Sequence, residues 1–227
     1  MSTFAEFITK LEARVENKNT RTTTYLQEAT IRWLSELSNQ RTLMMEDTFT
    51  FSTIAGTQEY DSSVAAGFPP DAMEIDTLFV QTGSGTSITN EEVPGPLTIR
   101  EIRFGWDAAA QNTTLEGWCW HNQKLFLVPV PGSVLTVKGD YFKDATRDTA
   151  TGSLITTSST THTNPWFSRG EQALLNAVLY DYYLGIAKDA EAAQMSQGLF
   201  TSALSVLKDD WLLKNARGVQ AEWCFGG

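Results

Sequence analysis

Two histidines, two cysteines and an excess of carboxylates bound the chemistry open to this 227-residue chain. His121 and His162 are its only imidazoles. The sequence holds no G-x-S-x-G elbow, no Walker loop and no dinucleotide glycine fingerprint. Cys119 and His121 stand two apart on a predicted strand and so point to one face. With Cys224 and His162 they make four potential zinc ligands, but structural zinc sites show two close-spaced ligand pairs and here there is one. The plain alternative is a buried thiol beside a half-exposed imidazole. Glu74, Asp107, Glu116 and Asp140 offer carboxylate pairs for glycoside hydrolysis, an offer any acidic chain makes, because spacing in sequence does not fix separation in space. Trp106, Trp118 and Trp120 form an aromatic cluster that either stacks on sugar rings or bases, as a carbohydrate- or receptor-binding module would, or fills the core of a small sheet. The motifs predict no enzyme, no bound metal and no cofactor.

The elements that position these residues follow two periods. Phe4, Phe7, Ile8, Leu11 and Val15 fall on one face of a first helix, and Leu26, Ala29, Trp33 and Leu37 stripe a second, from about Thr22 to Leu37. Asn164 and Pro165 suit the cap and first position of a third helix, in which Leu174, Val178, Tyr182 and Ile186, with Leu175, Leu179 and Tyr183 as a second stripe, make an apolar face too wide for open water. Lys188 and Asp189 break the run, and Phe200, Leu204, Leu207 and Trp211 stripe a fourth helix. Residues 1–46 and 164–213 are therefore expected to pack as one helical bundle.

Between them the period falls to two. Phe49, Phe51 and Thr53 alternate with polar neighbours, as do Ile75, Thr77 and Phe79, and Phe68-Pro69-Pro70-Asp71 forces an extended bend between the two strands. Residues 82–96 read as a long loop or hairpin tip. Thr98 and Glu101 have capping-box spacing ahead of a short helix. Three strands, 117–121, 124–128 and 134–142, are expected as an antiparallel meander. The fold class is thus α+β, with a mainly antiparallel β-domain over 47–142 inserted into the helices. Residues 143–163, rich in Ser and Thr, read as an extended arm pinned by Leu154 and Ile155, and 214–227 as a C-terminal tail. Trp223 and Phe225 there cost roughly 1.5–3 kcal/mol each if left in water, so they should dock on something.

The formal charge is −10, with fourteen acidic and six basic residues between 47 and 164. Such a chain lacks the basic stripe of a nucleic-acid wrapper, although an acidic wall lets DNA slide past. No window is apolar enough to span a membrane, the start carries no signal-peptide pattern, and the two cysteines read as free thiols of a reducing compartment.

In this order the motifs resemble a known family, the head-to-tail adaptor (head completion, or tail tubular) proteins of tailed bacteriophages. Thr57-Gln58-Glu59-Tyr60 after the first strand, Phe68-Pro69-Pro70-Asp71 before Ile75, and Lys124 to Gly132 before a strand ending in Tyr141 carry the likeness, with the helical flanks and the Lys188-Asp189 break. It covers residues 3 to 210; the loop at 82–96 and the arm at 149–163 are longer than the usual pattern. The resemblance implies a homo-oligomeric ring of about twelve copies in the virion neck, made in the host cytoplasm. Its implied partners are the portal protein above and a tail or nozzle protein below, with genomic DNA passing through the lumen. Trp211, Arg217, Trp223 and Phe225 are then expected to dock on the portal or a neighbour, and Leu154 and Ile155 to reach the next subunit.

Overall fold

The computed structural model describes residues 2–16, 18–84, 87–105 and 111–223, and the side chains among these except 83, 84, 87, 103–105, 111 and 213–223. It is an α+β protein whose contacts divide it into two units, Met1–Met45 with Asp144–Gly227, and Glu46–Lys143.

In the first unit α1 (Phe4–Glu12) starts at a capping box, with Thr3 and Glu6 each bonding the other's backbone amide. Its stripe of Phe4, Phe7, Ile8 and Leu11 is buried. α2 (Thr20–Ser38) begins where Asn19 accepts the amide of Thr22, and buries Leu26, Ala29, Leu34 and Leu37. At the centre lies α4 (Glu171–Tyr182), buried at Ala173, Leu174, Leu175, Ala177, Val178, Leu179 and Tyr182, as its wide apolar face requires.

The expected helix start at Asn164 is corrected. Asn164 caps only a 3-10 turn, Pro165–Phe167, and α4 begins seven residues later, with Gly170 as its cap. Gly170 sits so close to the Trp166 ring and the Met44 methyl that a Cβ there would overlap both. After α4 a π-turn, Tyr183–Ala187, ends at Lys188 in the left-handed region (φ 58°), and Asp189 caps the next helix by accepting the amide of Ala192. That helix, α5, runs Ala190–Trp223. The backbone therefore stays helical through most of the stretch expected as a separate tail beyond Leu213.

In the second unit one sheet has the order β1-β9-β3-β4, formed by β1 (Glu46–Ser52), β3 (Ala72–Ser84), β4 (Ser87–Glu92) and β9 (Thr136–Lys143). A second has the order β2-β7-β6, from β2 (Glu59–Tyr60), β6 (Gly117–His121) and β7 (Lys124–Val128). The pairings in both are antiparallel, while β5 (Gln111–Asn112) and β8 (Val130–Pro131) pair in parallel. Phe49, Phe51, Tyr60, Phe68, Leu78, Trp118, Leu125, Val137 and Tyr141 make one core between the sheets.

Two expectations change here. The meander is not formed: β6 and β7 pair, but β9 joins β1 and β3 in the other sheet. Pro129 and Pro131 lack the amide hydrogens that a tight hairpin between β7 and β9 would need. The alternation of β3 changes face, since a register shift between Ile75 and Thr77 makes Ile75, Leu78 and Val80 the buried set rather than Ile75, Thr77 and Phe79. Of the two readings for residues 82–96, the hairpin is the one formed, because β3 and β4 pair from Phe79↔Glu92 to Ser84↔Ser87. The short helix α3 (Ile99–Gly105) follows its capping box, Thr98 donating to Glu101 and receiving its amide.

Candidate functional site

The groups that chemistry would need are dispersed or sealed. Cys119 is buried with Ile102, Phe126 and Val128, on the β6 face opposite the main core, and burial pushes its thiol above the ordinary value. Among the described residues no group of three or more His, Cys, Asp or Glu is placed to hold a metal ion. Of the carboxylates, Asp140 accepts the Thr77 hydroxyl at 2.8 Å on the sheet surface, Glu116 is exposed, and Asp107 lies outside the described residues. Asp71 is the perturbed one. At 1 % exposure it is desolvated, which raises its pKa to about 6 although Lys143 and the Tyr141 hydroxyl, at 3.2 Å, pull the other way. A carboxyl so enclosed has no route to a substrate, and an acid catalyst must reach the proton it transfers. Its work is internal: with the Lys143–Asp47 ion pair at 2.7 Å it ties the start of β3 to β9 and β1.

The aromatic cluster is structural where it is described. Trp118 is 1 % exposed and its indole N–H donates to the Val93 carbonyl at 3.2 Å. Trp120 is half-buried, donates to the Met73 carbonyl at 2.8 Å and stacks on Phe68. Trp106 lies outside the described residues. The stacking platform expected of a sugar-binding sheet is therefore not presented by Trp118, whose face is spent on the core. Asn122 and Gln123, both at positive φ (50° and 60°), make the two-residue turn that aligns this hairpin.

The Ser/Thr-rich arm is also corrected. It is folded against its own helical unit, because polar side chains supply the ties that apolar surface does not. Asp148 accepts the amides of Thr151 and Thr163, at 2.9 and 2.7 Å, and both hydroxyls as well. Partial burial alone would raise its pKa, but these bonds hold it below the ordinary value. Asn164 donates to the carbonyls of Ala145 and Arg147. Ile155, 4 % exposed, belongs to the helical core and is not available to a neighbour, while Leu154 is 57 % exposed. Serine and threonine content alone suggests looseness; the spacing of Asp144, Asp148 and Asn164 among those hydroxyls is the signal that points to a tied loop.

What remains open to a partner is surface. On α5, Phe200, Ala203, Leu204 and Leu207 pack on the helical core, while Met195, Leu199 and Val206 recur at helical spacing and are exposed. Trp211 is half-buried on this helix, Arg217 and Trp223 have backbone on it with side chains outside the description, and Phe225 and Cys224 lie outside the described residues.

The two-unit α+β chain exposes an apolar stripe on its longest helix, the kind of surface that a binding partner covers. The comparison with known families agrees in kind: the profile of the SU10 adaptor protein matches residues 2–220, and the chain belongs to that family. It is thus a phage adaptor protein, a structural component of the virion, as the resemblance implied. No curated protein matches the sequence.

Proposed function

We propose that the chain is the head-to-tail adaptor of its phage: about twelve copies form a ring that docks under the portal, seats the tail or nozzle protein and lets the genome pass. The carrying observation is α5. Its 34 residues extend roughly 51 Å at 1.5 Å per residue, and Leu207 is the last of its described side chains in the helical core. A helix whose described side chains leave Met195, Leu199, Val206 and Leu212 uncovered is suited to bury that surface on other subunits. Charge supports the lumen. Residues 46–143 carry thirteen acidic against five basic groups, and such a surface facing DNA repels it and leaves it free to slide. Leu154, exposed on a pinned loop, is a contact for the next copy in this reading.

Mixing the purified chain with the portal protein of the same phage and imaging the product by electron microscopy tests the proposal. Rings stacked on the portal are the expected product; a chain that stays monomeric and leaves the portal bare refutes it. A chain truncated after Leu213 should keep its fold and fail to assemble under the portal, because Arg217, Trp223 and Phe225 are lost as contacts to the portal or to a neighbouring copy.

A further inference from the structure

The β unit contains a cavity of about 380 Å³ between the end of β3, β4 and the segment leading into β6. Val80, Val93, Leu115 and Leu135 form its apolar wall, and Glu91, Glu92 and Glu116 stand at its edge. All three glutamates are exposed, and none makes an ion pair with a described residue. Anything that covers this cavity must bring apolar side chains for the wall and cations for the edge, because closing it over unpaired carboxylates costs their hydration. Another β unit is a poor source of them, with thirteen acidic against five basic residues.

One stretch of the chain has the matching composition. From Trp211 to Trp223 there are two basic residues, Lys214 and Arg217, against one acidic, Glu222, in a chain of net charge −10. Leu212, Ala216, Val219 and Trp223 recur through it at helical spacing, and its backbone is the distal part of α5. We infer that residues 212–223 of a second copy seat in this cavity as a helix in a groove, with the apolar residues on Val80, Val93, Leu115 and Leu135 and the two cations against the three glutamates. This rests on the ring reading and deepens it. A closed ring needs two unlike, complementary surfaces on every copy, and the cavity and the helix are such a pair.

The test uses the full-length chain. A fluorescent peptide of residues 211–223 is titrated into it and into the triple variant Glu91→Gln, Glu92→Gln, Glu116→Gln, whose exposed substitutions leave the fold intact by circular dichroism. The expected result is saturable binding that weakens at least about tenfold in the triple variant, each tenfold being one decade in Kd. A peptide carrying Arg217→Glu should bind Glu116→Lys better than it binds the unaltered chain. In parallel, Thr114→Cys and Val219→Cys chains, both with Cys224→Ser, are mixed and oxidised, and a cross-linked dimer is expected that neither gives alone. Absence of peptide binding, equal binding to the triple variant, or no cross-link in the mixture overturns the inference. So does binding of the peptide to the portal alone. Portal-bound rings that form unimpaired from the triple variant would overturn the socket while leaving the adaptor reading standing; no ring from the unaltered chain would remove that reading itself.

Discussion

Asp71 carries a charge that burial penalises, and the penalty has a defined pH window. Its pKa in the folded state is about 6 against an ordinary 3.8. Below the lower value both folded and unfolded chains hold the proton and the group contributes nothing. Between the two, the unfolded chain ionises first, so the fold loses stability as pH rises, and above about 6 the loss is complete. A difference of this size corresponds to about 3 kcal/mol. Asp61 and Asp148, whose values are lowered, contribute with the opposite sign, so the readout is the difference between variants. Asp71→Asn should therefore gain on the unaltered chain by roughly 2–3 kcal/mol as urea unfolding is moved from pH 4 to pH 7. Parallel stability curves for the two chains would show that Asp71 keeps its ordinary value. Gly170 makes a second test at this scale. Its Cβ position is occupied by the Trp166 ring, which is fully buried and cannot withdraw, so Gly170→Ala should cost the helical unit roughly 1–3 kcal/mol in thermal or urea unfolding.

At the scale of elements, the loop from Asp144 to Asn164 stands on few anchors, and Asp148 holds four of its hydrogen bonds. Asp148→Ala removes a charged acceptor and strands two amides, which should cost about 2–4 kcal/mol and open the loop. Limited proteolysis should then cut within residues 149–163 at a protease level that leaves the unaltered chain whole; an unchanged digestion pattern would mean that Ile155 and Asn164 hold the loop without it. This loop also marks where sequence stops being legible. The stripe of α1 was readable because its residues repeat at three- and four-residue spacing within one helix, and the cap that Thr3 and Glu6 form is equally local. The hairpin at Asn122-Gln123 was readable for the same reason. The β3 face change was not, since a bulge depends on the partner strand, and neither was the placement of β9 beside β1 and β3, which is settled by pairing across more than fifty residues. Tyr60 is of this kind too: its hydroxyl bonds the backbone of Ile54 and Thr57, which gives the Thr57 to Tyr60 motif a structural reason that its letters alone do not disclose.

At the scale of the whole molecule, the family was legible in the order of motifs, whereas the candidate docking surfaces were not. Trp118 and Ile155 carry apolar side chains that sequence cannot sort into buried and offered, and both are buried in their own units. The cavity edged by Glu91, Glu92 and Glu116 joins four separate segments between Val80 and Leu135, so no local pattern announces it. The division into two units yields a prediction that sequence boundaries alone would not. The β unit is entered and left by paired neighbours, because β1 and β9 are antiparallel with Glu46 opposite Phe142. Opposed residues in such a ladder have Cα atoms about 4.5–5.5 Å apart, a gap that two or three residues span. Replacing residues 46–143 by a three-residue Gly-Ser linker therefore leaves Met45 and Asp144 close enough to rejoin without strain. The helical unit keeps its core of Phe7, Leu11, Leu26, Leu34, Trp166, Leu174 and Val178, all of which come from outside the excised stretch. The shortened chain should unfold in one cooperative urea transition with a strongly helical circular dichroism spectrum. It should also lose the self-association that the β unit's cavity provides, as read by sedimentation velocity. A product with helical signal but no cooperative transition would mean that the helices need the β unit to fix their packing, and that the two units are one folding body.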